Sequence, residues 1–224
     1  MLNWRPEQQR RRVSVIGLGR FGTSVARVCF ELGYDVTAID IDERRIAEAS
    51  DFATMAAQAD GADEEALLSL GVNRSEVGVV AQGQNIEESI SCALVLKRIG
   101  VPWVIAKAET VLHGEILTKV GADRIVYPEH EAGVQVAHSL EIRHAVEYMN
   151  LTATSGAAQL AVPSHRVNSS VLEAEISCGQ LSILLILRGA VLMPRPAPET
   201  TLLAGDVVLI AGPDDALDRF ADDA

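Results

Sequence analysis

From residue 13 to about residue 128, short apolar runs alternate with longer stretches in which apolar residues recur every three or four positions. The runs at 13–18, 35–40, 52–58, 77–81, 103–107 and 124–127 predict strands, and the stretches at about 20–33, 43–50, 63–71, 85–99 and 110–121 predict helices. Val25, Val28, Cys29 and Leu32 show the helical spacing, and Gly33, Gly71, Gly100 and Gly121 stand where helices close. Short apolar strands alternating with helices predict a parallel sheet covered on both faces, with crossovers of one hand. Six such strands make an α/β, Rossmann-type doubly wound sheet.

Beyond the sheet the pattern changes twice. Residues 129–150 carry Val134, Ala137, Leu140 and Ile142 at helical spacing and predict a connector helix, either between domains or subunits or as a sixth helix of the same domain. Residues 151–224 predict a small α+β domain, with strands at 160–162, 181–187 and 207–210 and helices at 169–177 and 214–220. Pro194, Pro196 and Pro198 punctuate a loop there, and Ala204-Gly205-Asp206 reads as a turn. The domain is small and poor in reactive side chains. Residues 1–12 form a polar leader in which Arg10, Arg11 and Arg12 cluster, read either as a disordered tail or as a patch facing an anionic surface.

Composition narrows the function classes. No run reaches the roughly 18 apolar residues of a membrane span, and the N-terminus lacks the apolar region of a signal peptide. A net charge of −12 argues against nucleic acid as a partner. Cys29, Cys92 and Cys178 are far apart among apolar neighbours, which suits reduced thiols in a core. His113, His130, His138, His144 and His165 show no metal-ligand spacing.

The chemistry concentrates at the first strand. Val15-Ile16-Gly17-Leu18-Gly19-Arg20-Phe21-Gly22 is an apolar strand running into a glycine-rich turn and a helix. Gly17 suits a tight turn, Gly19 a close approach of backbone to a pyrophosphate, and Gly22 close packing of helix on strand. Asp40 ends the second strand 18 residues after Gly22, where a carboxylate accepts hydrogen bonds from the hydroxyls of an adenosine ribose. Asp42 precedes Glu43-Arg44-Arg45-Ile46 and reads as a helix N-cap.

The same glycine loop and Asp40, together with Gly121-Ala122-Asp123-Arg124-Ile125-Val126-Tyr127-Pro128-Glu129 and Pro196-Ala197-Pro198-Glu199 before Gly205-Asp206, resemble the RCK family of regulators of potassium conductance, in its KtrA-like branch. The resemblance covers nearly the whole chain after the leader and implies an RCK-N (TrkA-N) nucleotide domain followed by RCK-C (TrkA-C). It implies a non-enzymatic, cytoplasmic gating-ring subunit, an octamer, that binds ATP or ADP and controls K+ flux through a KtrB/TrkH-like membrane subunit. By residue, it implies that Gly17, Leu18, Gly19, Phe21 and Gly22 form the phosphate loop. It implies that Arg20 reaches the terminal phosphate of a nucleotide on the neighbouring subunit; a solvent-facing arginine is the plainer reading. Asp60 is either an acid near the adenine or a turn residue. The resemblance implies that Lys107 lines the nucleotide cleft. It implies that Glu129 helps hold a divalent cation such as Mg²⁺ beside the phosphates; the alternative is a first-turn helix acid. Glu173 and Glu175 would repel a phosphodiester, so cyclic di-AMP is not expected. A small NAD(P)-dependent oxidoreductase, with NAD(H) in the same cleft, is the alternative function; a transcription factor would need a basic module that the acidic chain lacks.

Overall fold

A computed structural model describes residues 11–83, 85–141, 145–152 and 154–222. The chain divides into two units, residues 1–128 and 129–224. In the first, β1 (Arg12–Ile16), α1 (Arg20–Glu31), β2 (Asp35–Asp40), α2 (Glu43–Ala49), β3 (Met55–Gln58) and α3 (Glu64–Ser69) are followed by β4 (Val77–Val80), α4 (Ile86–Arg98), β5 (Trp103–Lys107), α5 (Val111–Lys119) and β6 (Arg124–Val126). The six strands form one parallel sheet in the order β3-β2-β1-β4-β5-β6.

Both faces of the central strands are buried, which is why they read as nearly continuous apolar runs. On one face Val13, Val15, Val36 and Ala38 pack with Ala26 of α1 and Ala49 of α2. On the other, Ile16, Ile39 and Val80 pack with Leu67 of α3, Cys92 and Leu96 of α4 and Leu117 of α5. The Gly-Ala-Asp-Arg segment is part of this scaffold. Gly121 closes α5 at φ 109°, Ala122 is buried, and Asp123 accepts hydrogen bonds from the Val104 N–H at 2.7 Å and from Lys97 Nζ at 3.0 Å. Burial pushes the Asp123 carboxyl up, but those donors outweigh it and hold its pKa below the usual value.

The second unit contains α6 (Pro128–Glu141), which opens at the boundary, then β7 (Ala145–Thr152), β8 (Ser155–Ala161), α7 (Val171–Cys178), β9 (Ser182–Arg188), β10 (Val191–Pro194), β11 (Val207–Pro213) and α8 (Asp214–Ala221). Its sheet is antiparallel throughout, in the order β10-β9-β11-β8-β7. Leu160, Ile183, Ile186, Val208 and Ile210 point to one face and pack with Ala174 of α7 and Leu217 and Phe220 of α8.

Two expectations are corrected here. The single helix expected over 129–150 is α6 followed by β7, because residues from Ala145 pair with β8 and Tyr148 is buried against the sheet core, donating from its hydroxyl to Asp214 Oδ1 at 2.6 Å. Tertiary pairing overrides a weak local period. The leader expected over 1–12 ends one residue early, since Arg12 begins β1 and pairs with Asp35 at 3.3 Å. Residues 1–10, Arg10 among them, lie outside the described residues, as do Ile142, His144 and the side chains of His138 and Leu140. Strand β10, at the edge of the sheet, is one that the hydrophobic pattern does not predict.

The turn at 204–206 hides an ion pair. Asp206 is 1% exposed and takes two hydrogen bonds from Arg188, Nε at 2.8 Å and Nη2 at 2.7 Å, plus one from the Leu203 N–H at 2.9 Å. The Arg188 guanidinium is the chief cause holding the Asp206 carboxyl below its ordinary pKa. That stabilisation is present at neutral pH and is lost as pH falls through the depressed value. Replacing Asp206 by Ala is expected to cost about 2–3 kcal/mol, less than a fully buried pair because Arg188 can rehydrate. Denaturant unfolding checks this, and a loss under about 0.5 kcal/mol would show the pair to be idle.

Candidate functional site

In an open parallel sheet, ligands bind beyond the carboxyl ends of the strands, where the strand order reverses. Here that point lies between β1 and β4, which pair with each other while their chain neighbours run outward in opposite directions. The glycine loop sits there. Gly17 donates its N–H to Ile39 O at 2.8 Å and has φ 91°, and a Cβ at this position would come within 2.8 Å of the Gln82 backbone nitrogen. A Cβ on Gly22 would overlap the Gly17 carbonyl oxygen and press on Ala81. Gly19 differs: a Cβ there would meet nothing within 4 Å, so its open side faces the space a phosphate would enter.

Gly19 is also the N-cap of α1, with no side-chain cap and no acid in the first turn. Among the described residues the other α-helices begin with a capping side chain, first-turn acids or both. The partial positive charge at the start of α1 is therefore left without an internal partner. Arg20, the first helical residue, is exposed and pairs with no carboxylate among the described residues. Phe21 packs into the core beside Leu18. The Thr23 hydroxyl donates to Leu18 O at 3.0 Å and steadies the loop from below.

Asp40 lies at the side of the loop, 5% exposed. Its Oδ2 accepts the Leu18 N–H at 2.6 Å and Arg45 Nη1 at 3.2 Å, and its Oδ1 accepts the Asp42 N–H at 2.9 Å. The strand end, the glycine loop and the start of α2 are thus tied to one carboxylate. Asp42 caps α2 through the Arg44 N–H, as its spacing suggested. Asp60 is exposed and accepts the Ala62 N–H at 2.9 Å, the geometry of a turn residue.

Lys107 closes β5, 9% exposed, with Nζ 3.3 Å from Glu109. A Cβ on Gly83 would touch both side chains, so the ends of β4 and β5 meet at this ion pair. Behind it, His113 is buried, its Nε2 2.7 Å from the Ser89 hydroxyl. Burial pushes His113 below its ordinary pKa and Glu109 only partly offsets this, so the ring is a neutral core group. Glu129 stands with Glu131 in the first turn of α6, in the second unit, where a carboxylate offsets the exposed N–H groups of a helix. Sequence reasoning missed Arg45, Gln82, Gly83 and Glu109. The rule about strand ends at the reversal point would have flagged the three that follow β4 and β5.

The second unit offers less chemistry. The N-terminus of α7 is closed by Ser170 and Glu173 in a reciprocal capping box, and by the carbonyls of Pro198 and Thr200 accepting the Leu172 and Val171 N–H groups. The Pro-Ala-Pro-Glu segment thus serves the helix. Glu175 accepts the Ile183 N–H at 2.7 Å, so both glutamates set against a phosphodiester have local structural work. A cavity of about 610 Å³ lies between His130, Glu131 and Val134 of α6 and the outer sheet face at Met149, Gln159 and Leu209. Among the described residues, no group of three or more His, Cys, Asp or Glu side chains is placed to hold a metal ion, and no helix is long and apolar enough to cross a membrane.

Known proteins share this layout. Residues 13–128 match the TrkA-N domain and residues 159–223 the TrkA-C domain. The chain is 32% identical over 213 residues to Ktr system potassium uptake protein A of Bacillus subtilis, covering 95% of this chain and 96% of that one. It is 30% identical to the Ktr system potassium uptake protein A of Vibrio alginolyticus, covering 92% and 94%. Among solved structures, the GsuK RCK domain superposes with a TM-score of 0.62 at 16% identity, covering 98% of this chain and 49% of that one. The GsuK channel bound to NAD gives 0.62 at 17% identity, covering 98% and 41%, so this chain spans half or less of either structure's length. A parallel sheet with a reversal-point glycine loop, an antiparallel second unit, both domain matches in order and 30–32% identity to Ktr proteins over more than nine-tenths of the chain lead to one assignment: the chain belongs to the TrkA-N/TrkA-C, or RCK, family of potassium uptake proteins.

Proposed function

We propose that this chain is a non-enzymatic regulatory subunit that binds an adenine nucleotide, ATP or ADP, at the β1–α1 loop and controls K+ flux through a membrane-embedded partner. The observation that carries the reading is the start of α1: a helix with neither cap nor acid, opening beside a glycine whose side faces empty space, with a buried carboxylate at the ribose position. Anionic phosphates satisfy the first, and ribose hydroxyls the second. The potassium uptake function of the Ktr relatives supplies the cargo.

The chain works as a homo-oligomeric ring, an octamer, at the cytoplasmic face of the membrane, docked on a KtrB/TrkH-like translocating subunit. Arg20 reads the terminal phosphate of a nucleotide on the neighbouring subunit, since a planar guanidinium grips phosphate oxygens through two parallel donors. Lys107 adds positive charge at the cleft. Glu129 shares a divalent ion such as Mg²⁺ with the phosphates, because a carboxylate beside a triphosphate needs a bridging cation. Triphosphate and diphosphate then differ in what they gather across the subunit contact, and that difference shifts the ring between shapes. NAD(H) is a second occupant of the same cleft, favoured by an NAD-bound structure of the same fold and by Asp40, which suits an unphosphorylated ribose.

The test is flux through the purified partner in liposomes with ATP or ADP added. ATP is expected to raise flux more than ADP, and Arg20→Ala is expected to shrink the ATP-over-ADP preference in binding by about tenfold, the worth of one charge-assisted hydrogen bond. Equal flux with both nucleotides overturns the switching role. Sustained NADH turnover with carbonyl substrates would instead make the protein an oxidoreductase.

A further inference from the structure

We propose that Arg45 is a built-in competitor for the ribose seat, a side chain that must leave Asp40 before a ribose can be held by both hydroxyls. This rests on the nucleotide reading above and concerns how the same site is tuned. A carboxylate offers about four lone-pair sites for hydrogen bonds. Asp40 already uses three: the Leu18 N–H at 2.6 Å, the Asp42 N–H at 2.9 Å and Arg45 Nη1 at 3.2 Å. The two backbone donors belong to the fold, one fixed in the glycine loop and one at the start of α2. An adenosine ribose brings two hydroxyl donors. With the backbone pair these fill the carboxylate, and Arg45 becomes a fifth donor with no place.

Arg45 is the donor able to yield. Its side chain is 49% exposed, whereas that of Asp40 is 3% exposed. A second carboxylate, Asp42, already lies 3.8 Å from its Nε, so the guanidinium has somewhere to go without losing its charge partner. An exposed arm of this kind contributes only about 0–1 kcal/mol to an ion pair, so the exchange is a small, adjustable cost. A 2′-deoxyribose carries one hydroxyl fewer and fits beside Arg45 on the remaining site. The arginine therefore lowers affinity for ribonucleotides and spares their 2′-deoxy counterparts.

Calorimetric titration of the full chain with ATP and with 2′-deoxy-ATP tests this in the wild type, Arg45→Ala and Arg45→Gln. The quantity read is the ratio of the two dissociation constants. Removing Arg45 is expected to raise the preference for ATP over 2′-deoxy-ATP about three- to fivefold, the range set by displacing one exposed ion pair. Losing a positive charge near an anionic ligand acts on both nucleotides alike and cancels in the ratio. An unchanged or smaller ratio in both variants, with the wild type still binding ATP, overturns the competitor role and leaves the nucleotide site standing. A wild type that binds neither compound overturns both.

Discussion

Alanine in place of Gly22 is expected to destabilise the first unit by about 3 kcal/mol or more, at the upper end of overpacking costs. The added Cβ would overlap the Gly17 carbonyl oxygen and come within 2.9 Å of the Ala81 Cβ, and neither is the far end of a flexible side chain. Something in the backbone has to move, and what moves is the turn that shapes the glycine loop. The melting temperature of the variant should fall by roughly 10 °C, and nucleotide binding should go with it. The same substitution three residues earlier is expected to do the reverse. Gly19 has φ −68°, an ordinary value for alanine, and open space where its side chain would point. Gly19→Ala should melt within about 2 °C of the wild type, the scale of a neutral surface change, yet bind ATP more weakly. If both variants keep full affinity, no phosphate approaches this loop.

Asp40→Ala carries the second large effect. Two hydrogen bonds from a sugar to a carboxylate contribute about 1.5 kcal/mol each or more, so ATP, ADP and NADH should all bind about a hundredfold more weakly. The factor should be common to the three, because they share the adenosine ribose and differ beyond it. The variant also removes the acceptor for the Leu18 and Asp42 N–H groups, so Asp40→Asn, which keeps one carbonyl oxygen, is the companion: it should lose less affinity and less stability. A loss confined to one of the three ligands would put that carboxylate somewhere other than the ribose.

The six-stranded sheet is legible in the order of residues alone, because a parallel sheet buried on both faces writes apolar runs such as 13–18 and 35–40, and the helices between them write a different period. The second sheet is legible only in part. Its edge strand β10 offers four residues, with Val191 and Leu192 more than half exposed, and owes its existence to a hairpin with β9. Strand β7 follows α6 with no glycine or proline between residues 141 and 152, so nothing local marks where the helical period stops. At the site, the glycines and Asp40 stand out because their spacing is fixed by the turn they build. Arg45 does not, since its tie to Asp40 spans a strand end and a helix start, and no periodicity links residues five apart across such a corner.

Apart from the open side at Gly19, the glycine loop is held fast: by Ile39 through Gly17, by Asp40 through Leu18 and by Thr23 through the Leu18 carbonyl, with no room for a Cβ at Gly17 or Gly22. A turn tied by so many backbone contacts is set in shape before anything meets it. On the nucleotide reading proposed above, telling one phosphate tail from another is then left to the exposed Arg20 at its rim.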